Sequence, residues 1–178
     1  MDPPDAAIVT AAASGDSIAF ETLVRQTQGP VWRYVLHLVG DHALAEDISQ
    51  EVFLRVHRRL HTLQDASRFV PWLLTIARNA AFDAGRYRKR RPLDLVGERD
   101  VWPAHDTHDP HLGLEVRDAL ARLDESLRES VVLIGMIGLT YREAAEAIGV
   151  PEGTVKSRTF RARKLLMEML EPGDDDES

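Results

Sequence analysis

Cysteine is missing from all 178 residues, which excludes disulfides and cysteine-ligated zinc. Aromatic residues make up only 6%. No apolar run approaches the roughly eighteen residues needed to cross a bilayer, so no membrane contact of the chain's own is expected. The N-terminus is acidic and lacks the basic-then-apolar order of a signal peptide. Strand-type alternation is nearly absent. Neither a phosphate-cradling glycine loop, nor paired catalytic carboxylates, nor a nucleophile with its base and orienting group stands out. These absences predict a cytoplasmic, all-α, non-enzymatic chain with no cofactor. Apolar residues at 44%, with nine prolines and eleven glycines, are enough to build a core and do not resemble a disordered composition.

Charge is present in quantity and unevenly placed. The net value is −7, yet residues 53–91 carry +8 and residues 152–167 carry +4. Acidic stretches flank them: −4 over 41–52, −6 over 92–129 and −6 over 168–178. Two separated cationic blocks can neutralise phosphates locally, while the acidic remainder limits indiscriminate binding.

Helical periodicity organises the rest. A flexible segment over 1–14 precedes a helix from Ser17 to Thr27, with Phe20, Leu23 and Val24 on one face. Gly29-Pro30 should break or kink it, because proline cannot donate to the helix ladder. A second helix places Val31, Tyr34, Val35 and Leu38 inward, and a third runs from Asp41 to about Leu60. The fourth begins after Asp65-Ala66-Ser67 and reaches about Arg90, with Phe69, Leu73, Ile76, Ala77, Ala80 and Tyr87 inward. Together these form a first domain over 15–91. Residues 92–110 carry five acids and prolines at 92, 103 and 110, which reads as an extended acidic linker. A second domain follows over 111–170, opening with a proline-led helix on Leu112, Val116, Ala119, Leu120 and Leu123. The acidic tail 171–178 completes the chain.

The strongest local signal lies between Gly138 and Leu166. Thr140 with Glu143 forms a capping box, Gly149 stops a short helix, and Val150-Pro151 leads into another. This is a helix-turn-helix. On its second helix Val155, Thr159, Ala162, Leu166 and Met169 fall inward. Lys156, Ser157, Phe160, Arg161 and Lys164 fall outward, a set suited to phosphates, base edges and a thymine methyl in a major groove.

Two further faces stand out. On the third helix Leu44, Ile48, Val52, Val56 and Leu60 form the core stripe, while Asp47, Gln50, Glu51 and Leu54 cluster on another side. A leucine among acids and an amide fits a protein partner, and equally a solvated face. The fourth helix joins Arg68, Trp72 and Arg78 to a basic end from Arg86 to Arg91, which fits single-stranded DNA as well as a buried tryptophan beside solvated cations. His105, His108 and His111 are spaced in threes within the linker, but a linker does not preorganise a tetrahedral metal site, and none is expected. His57 and His61 share a helix face without the glutamate of a zinc-protease helix.

Taken in order, three motifs resemble the extracytoplasmic-function (ECF) sigma factors of bacterial RNA polymerase. Asp47-Ile48-Ser49-Gln50-Glu51-Val52-Phe53 is similar to their D-x-x-Q-E-x-F motif. Trp72-Leu73-Leu74-Thr75-Ile76-Ala77-Arg78-Asn79, with Asp83 and Arg86, is similar to their W-L-x-x-I-A-R-N helix. Gly138 to Tyr141 and Gly153 to Arg163 are similar to their C-terminal helix-turn-helix. The likeness spans about residues 15–170.

That resemblance implies two small helical domains, region 2 and region 4, which join polymerase core and direct it to promoters. Asp47, Gln50, Glu51 and Leu54 would meet the clamp helices of one large subunit. The loop His61 to Ser67, including Gln64 and Asp65, with Arg68, Trp72, Arg78, Asn79 and Arg86, would open the minus-ten element and hold an extruded base. Region 4 would bind the flap tip of the other large subunit and read the minus-thirty-five element through Thr154, Lys156, Ser157, Phe160, Arg161 and Lys164. An anti-sigma factor is an implied further partner. The chain departs from the family's pattern at Ile134-Gly135, where many relatives carry arginine-glutamate, and at Glu143-Ala144-Ala145, where E-I-A is usual. A stand-alone helix-turn-helix regulator that dimerises on duplex DNA is the other reading, and a protein that merely sequesters polymerase is a third.

Overall fold

Aspartates start the first helices. Asp5 accepts from Ala7 N, Asp16 from Ile18 N and Ala19 N, and Asp41 from Leu44 N, each satisfying amides that have no partner within the helix. In the computed structural model, which describes residue 1, residues 3–90 and residues 110–170, these open α1 (Ala6–Ala13), α2 (Ser17–Val39) and α3 (His42–Arg59). Two single-turn 3-10 helices, Leu60–Thr62 and Ala66–Arg68, lead into α4 (Phe69–Arg90). The second half holds α5 (Pro110–Arg122), α6 (Glu125–Gly135), α7 (Tyr141–Ile148) and α8 (Glu152–Leu170). No strand occurs among the described residues, as the periodicity predicts. The expected linker and acidic tail lie mostly outside the described residues.

Two expectations about the N-terminal part are corrected. Residues 1–14, expected to be flexible, contain α1, because Val9 and Ala12 bury themselves against α2 and the two 3-10 turns. The break at Gly29-Pro30 does not occur, and α2 runs through Pro30 without interruption. One missing N–H is outweighed by burial on both sides of it, since Leu23, Thr27, Val31, Tyr34 and Val35 are all sealed from solvent.

The main core is built from α2, α3 and α4 and does not stop at the end of the first half. Val132, Leu133, Ile137, Leu139, Ala144, Ala147, Ile148 and Val155 belong to the same contiguous cluster as Val31, Val35, Leu73 and Ala77. Only Leu120, Leu123, Leu127, Val131 and Ala162 form a separate small cluster, between α5, α6 and α8. So α6 and α7 lean on α2 and α4. The Met1 amino group reaches across as well, donating to the Ile137 carbonyl.

Candidate nucleic-acid and polymerase interface

Three local devices build the helix-turn-helix. Thr140 Oγ1 accepts from Glu143 N at 3.2 Å and Glu143 Oε2 accepts from Thr140 N at 2.8 Å, completing the capping box. Gly149 ends α7 at φ 71°, a left-handed conformation that costs a residue with a side chain roughly 1–2 kcal/mol. The Pro151 carbonyl then accepts from Thr154 N, in the first turn of α8, at 2.9 Å.

On α8, Val155, Thr159 and Ala162 are buried, and Lys156, Ser157, Phe160, Arg161 and Lys164 are exposed, with Thr154 half-covered. Met169, expected inward, is exposed, because it lies a turn beyond Leu165 and Leu166, the last residues of α8 to touch the small cluster. Phe160 is 75% exposed, an unusual cost for a phenyl ring among cations unless a partner covers it. Lys156 Nζ sits 2.7 Å from Glu152, whose hydrogen bond and charge raise its pKa, and Lys164 Nζ lies 3.8 Å from Glu168. Both are exposed pairs one helical turn apart, worth a few tenths of a kcal/mol, which a phosphate can displace.

The second face joins the loop before α4 to the helix itself. His61, Gln64 and Asp65 are exposed. The Asp65 carboxylate accepts from Ser67 Oγ at 2.7 Å and Ser67 N at 2.9 Å, and these bonds hold its pKa below the usual carboxylate range. The loop and the start of α4 enclose a concavity of about 420 Å³ that includes Gln64, Asp65, Arg68, Trp72 and Thr75. Trp72 is half-buried against Phe69, so the choice between a core and a surface tryptophan resolves to one lodged in the wall of this concavity. Asn79 is exposed one turn past Thr75. Arg86 lies on α4, its side chain outside the described set.

The far wall of that concavity comes from the second half. Glu146 lines it and receives Arg68 Nη2 at 3.1 Å, while Thr75 Oγ1 donates to the Ala147 carbonyl at 3.1 Å. Three residues past Thr75 on α4, Arg78 donates from Nε to Glu129 Oε1 at 2.8 Å and from Nη2 to Glu129 Oε2 at 3.3 Å. The Tyr34 hydroxyl gives Glu129 Oε1 another hydrogen bond at 2.8 Å. Tyr34 is wholly buried and Glu129 is 4% exposed. Burial, then the adjacent carboxylate, pushes the Tyr34 phenol well above its ordinary pKa. Burial opposes the Arg78 charge too, but Glu129 more than offsets it and the guanidinium is held more firmly protonated.

The third face is on α3. Asp47 and Gln50 are exposed, Leu54 is 53% exposed, and half-buried Glu51 receives Arg55 Nε at 2.8 Å. Gln50 and Leu54 form one rim of a groove of about 970 Å³ between α2 and α3, with Phe20, Val24, Trp32 and Phe53 on its walls. Phe20 and Val24 were read on one face with Leu23, and of the three only Leu23 is buried. One shared helix face cannot say which of its residues the neighbouring helix actually covers.

Comparison with known proteins now bears on these surfaces. Residues 23–91 match the family model Sigma-70 region 2, and residues 113–166 match Sigma-70, region 4. The ECF RNA polymerase sigma factor SigC of Mycobacterium tuberculosis is 36% identical over 174 residues, covering 94% of this chain and 92% of that protein. This chain belongs to the ECF sigma factors. SigM of Bacillus subtilis, another member, is 31% identical over 90% of this sigma factor and 100% of its own length. Among solved structures, the sigma factor RpoE of Bartonella quintana in complex with the anti-sigma factor NepR shares 28% identity, with a TM-score of 0.75 over 86% of this chain and 98% of that one. CnrH in complex with the cytosolic domain of CnrY has 26% identity and a TM-score of 0.72, over 93% of this sigma factor and 96% of that chain.

Sequence reading missed Glu129 and the groove. The first had a signal: Glu129 precedes buried Val132 and Leu133 by three and four residues, so helix geometry turns its carboxylate inward. The groove had none.

Proposed function

We propose that this sigma factor joins RNA polymerase core through the α3 rim, with Asp47, Gln50, Glu51 and Leu54 as the contacts. In this reading Leu54 anchors and the acids pair with basic groups of the partner. The loop from His61 to Ser67 and the α4 residues Arg68, Trp72, Arg78, Asn79 and Arg86 capture the opened minus-ten strand. Flipping a base costs a few kcal/mol, which a preformed concavity with an indole in its wall and arginines beside it can offset. Thr154, Lys156, Ser157, Phe160, Arg161 and Lys164 read the minus-thirty-five duplex. The protein works without a cofactor or an enzymatic reaction of its own, in the cytoplasm where polymerase acts. A relative solved with an anti-sigma factor supports such a partner here.

The observation that carries this reading is Phe160, exposed among Lys156, Ser157, Arg161 and Lys164 on the second helix of a helix-turn-helix. A stand-alone regulator would leave the α3 rim and its groove without a role, and no observation favours it. The test is multi-round transcription with purified core polymerase. Promoter-specific transcripts are expected with the wild type and are lost with Gln50→Ala plus Leu54→Ala. Tight duplex binding by a dimer that never associates with core would overturn the proposal.

A further inference from the structure

Burial along the loop before α4 repeats every three residues. Leu60 and Phe69 are buried, Leu63 and Ala66 are half-buried, and all the residues between them are exposed. Three is the period of a 3-10 helix, where residues i and i+3 eclipse, and single 3-10 turns fall at Leu60–Thr62 and Ala66–Arg68. The loop thus has an apolar underside and a polar outer side. Its underside meets α1, which packs on both 3-10 turns as well as on α2. Val9 at 1% exposure and Ala12 at 8% are the residues that α1 buries. They belong to one core cluster with Leu60 and Phe69, and Leu63 and Ala66 pack against it. Among the described residues no hydrogen bond joins the loop to α1. The loop's backbone bonds close within it instead, from Leu63 N to the Leu60 carbonyl and from Arg68 N to the Asp65 carbonyl, each at 3.0 Å.

We infer that α1 positions the promoter-reading loop: Val9 and Ala12 form the floor on which residues 61–67 stand, and so set where Gln64 and Asp65 meet the minus-ten strand. This rests on the minus-ten role proposed above for that loop. Internal bonds keep the loop's shape, but its height against Trp72 in the wall of the concavity follows from apolar contact with α1. A close-packed contact answers the loss of a methyl group by leaving a cavity or by shifting into it. Base discrimination depends on hydrogen bonds, which weaken steeply as their geometry departs from the best. A small settling of the loop therefore lowers selectivity while the fold persists. Val9 acts through the loop and not by touching DNA, since it is sealed from solvent.

The test compares Val9→Ala with Val35→Ala, a buried valine of the same core on α2, which does not pack on the turns to the extent that α1 does. Both substitutions remove the same atoms, and alanine is the better helix former, so α1 itself is not weakened as a helix. Each full-length variant is joined to purified core polymerase and transcribes a promoter library randomised over the minus-ten element, with the transcripts sequenced. Val9→Ala is expected to lower discrimination among minus-ten sequences about fivefold, with core affinity and upstream-element preference as in wild type. Val35→Ala should keep all three. Equal loss of discrimination in both variants would reduce the effect to stability and overturn the inference. Gln64→Ala separates the inference from the reading beneath it. Preference lost there but kept in Val9→Ala refutes the floor alone, and preference kept in both refutes the loop's minus-ten role as well. Should Val9→Ala fail to fold by circular dichroism, Ile8→Ala removes a half-buried side chain of the same helix. About a twofold loss of discrimination is expected from it, and no loss would overturn the inference.

Discussion

Arg78 and Glu129, 51 residues apart, meet through two hydrogen bonds of 2.8 and 3.3 Å at the seam between the two halves of the chain. Glu129 is almost wholly buried and spends its remaining capacity on the Tyr34 hydroxyl. Removing one member strands the others in a place poor in water. Glu129→Ala should therefore destabilise the protein by about 2–4 kcal/mol in urea unfolding, and Arg78→Ala by less because that side chain is partly exposed. The double variant should cost clearly less than the sum. Additive losses would show that the two do not act as a pair.

The α3 rim separates folding from binding. Gln50 and Leu54 are exposed, so Gln50→Ala plus Leu54→Ala should leave the unfolding midpoint within about 0.5 kcal/mol of wild type. Core affinity should fall at least about tenfold, the effect of losing an interface anchor. An intact affinity in a pull-down would remove this rim from the interface.

For the duplex-reading helix, Arg161→Ala should weaken binding to the upstream promoter element by about 1–3 kcal/mol while leaving core affinity intact. Parallel titrations with duplex DNA and with core polymerase distinguish the two effects. Equal loss in both would mean that α8 was disturbed as a whole.

Within the helix-turn-helix, Thr140→Ala removes the Oγ1 that accepts from Glu143 N, while the backbone N–H at position 140 still donates to Glu143. A loss of about 1 kcal/mol in thermal or urea unfolding is expected. Thr140→Ser keeps the acceptor and should recover most of it. No difference between the two substitutions would assign the effect to the threonine methyl.

Acid should loosen the seam. His37 on α2 has its pKa lowered from 6.5 to about 4, first by burial and then by the nearby Arg128 charge on α6. Its neutral form is the one that fits the fold, so the stability tied to it is complete above pH 6.5 and declines as pH falls toward 4. The full difference is on the order of 3 kcal/mol. Wild type should thus lose more stability than His37→Leu between neutral pH and about pH 4.5, since the leucine variant lacks this one titration. Parallel losses would show that carboxylates alone govern acid unfolding.

Periodicity and caps located most of the helices, though α1 was missed and α2 was read as two. Asp16, Asp41 and Thr140 with Glu143 each act within a turn of their own position, so their bonds follow from spacing. The outward set on α8 was readable for the same reason: at about 3.6 residues per turn, Val155, Thr159 and Ala162 can only share the side opposite Phe160. Residues that owe their role to distant chain were not readable. Pro30 looked like a break because its lost hydrogen bond is local, while the packing that keeps α2 intact comes from other helices. Val9 looked mobile because α2 and the 3-10 turns it packs on appear in no local pattern.

Charge order along the chain, helix positions and the faces of individual helices are properties of neighbours in sequence, and they were enough to find the three motifs and the family. Which surfaces are free is a different matter. That Arg78 and Arg68 meet carboxylates in the same chain, while Phe160 meets solvent, depends on where two helices from the second half come to rest. Apolar burial draws them there, and burial has no direction or range in sequence for a spacing rule to detect.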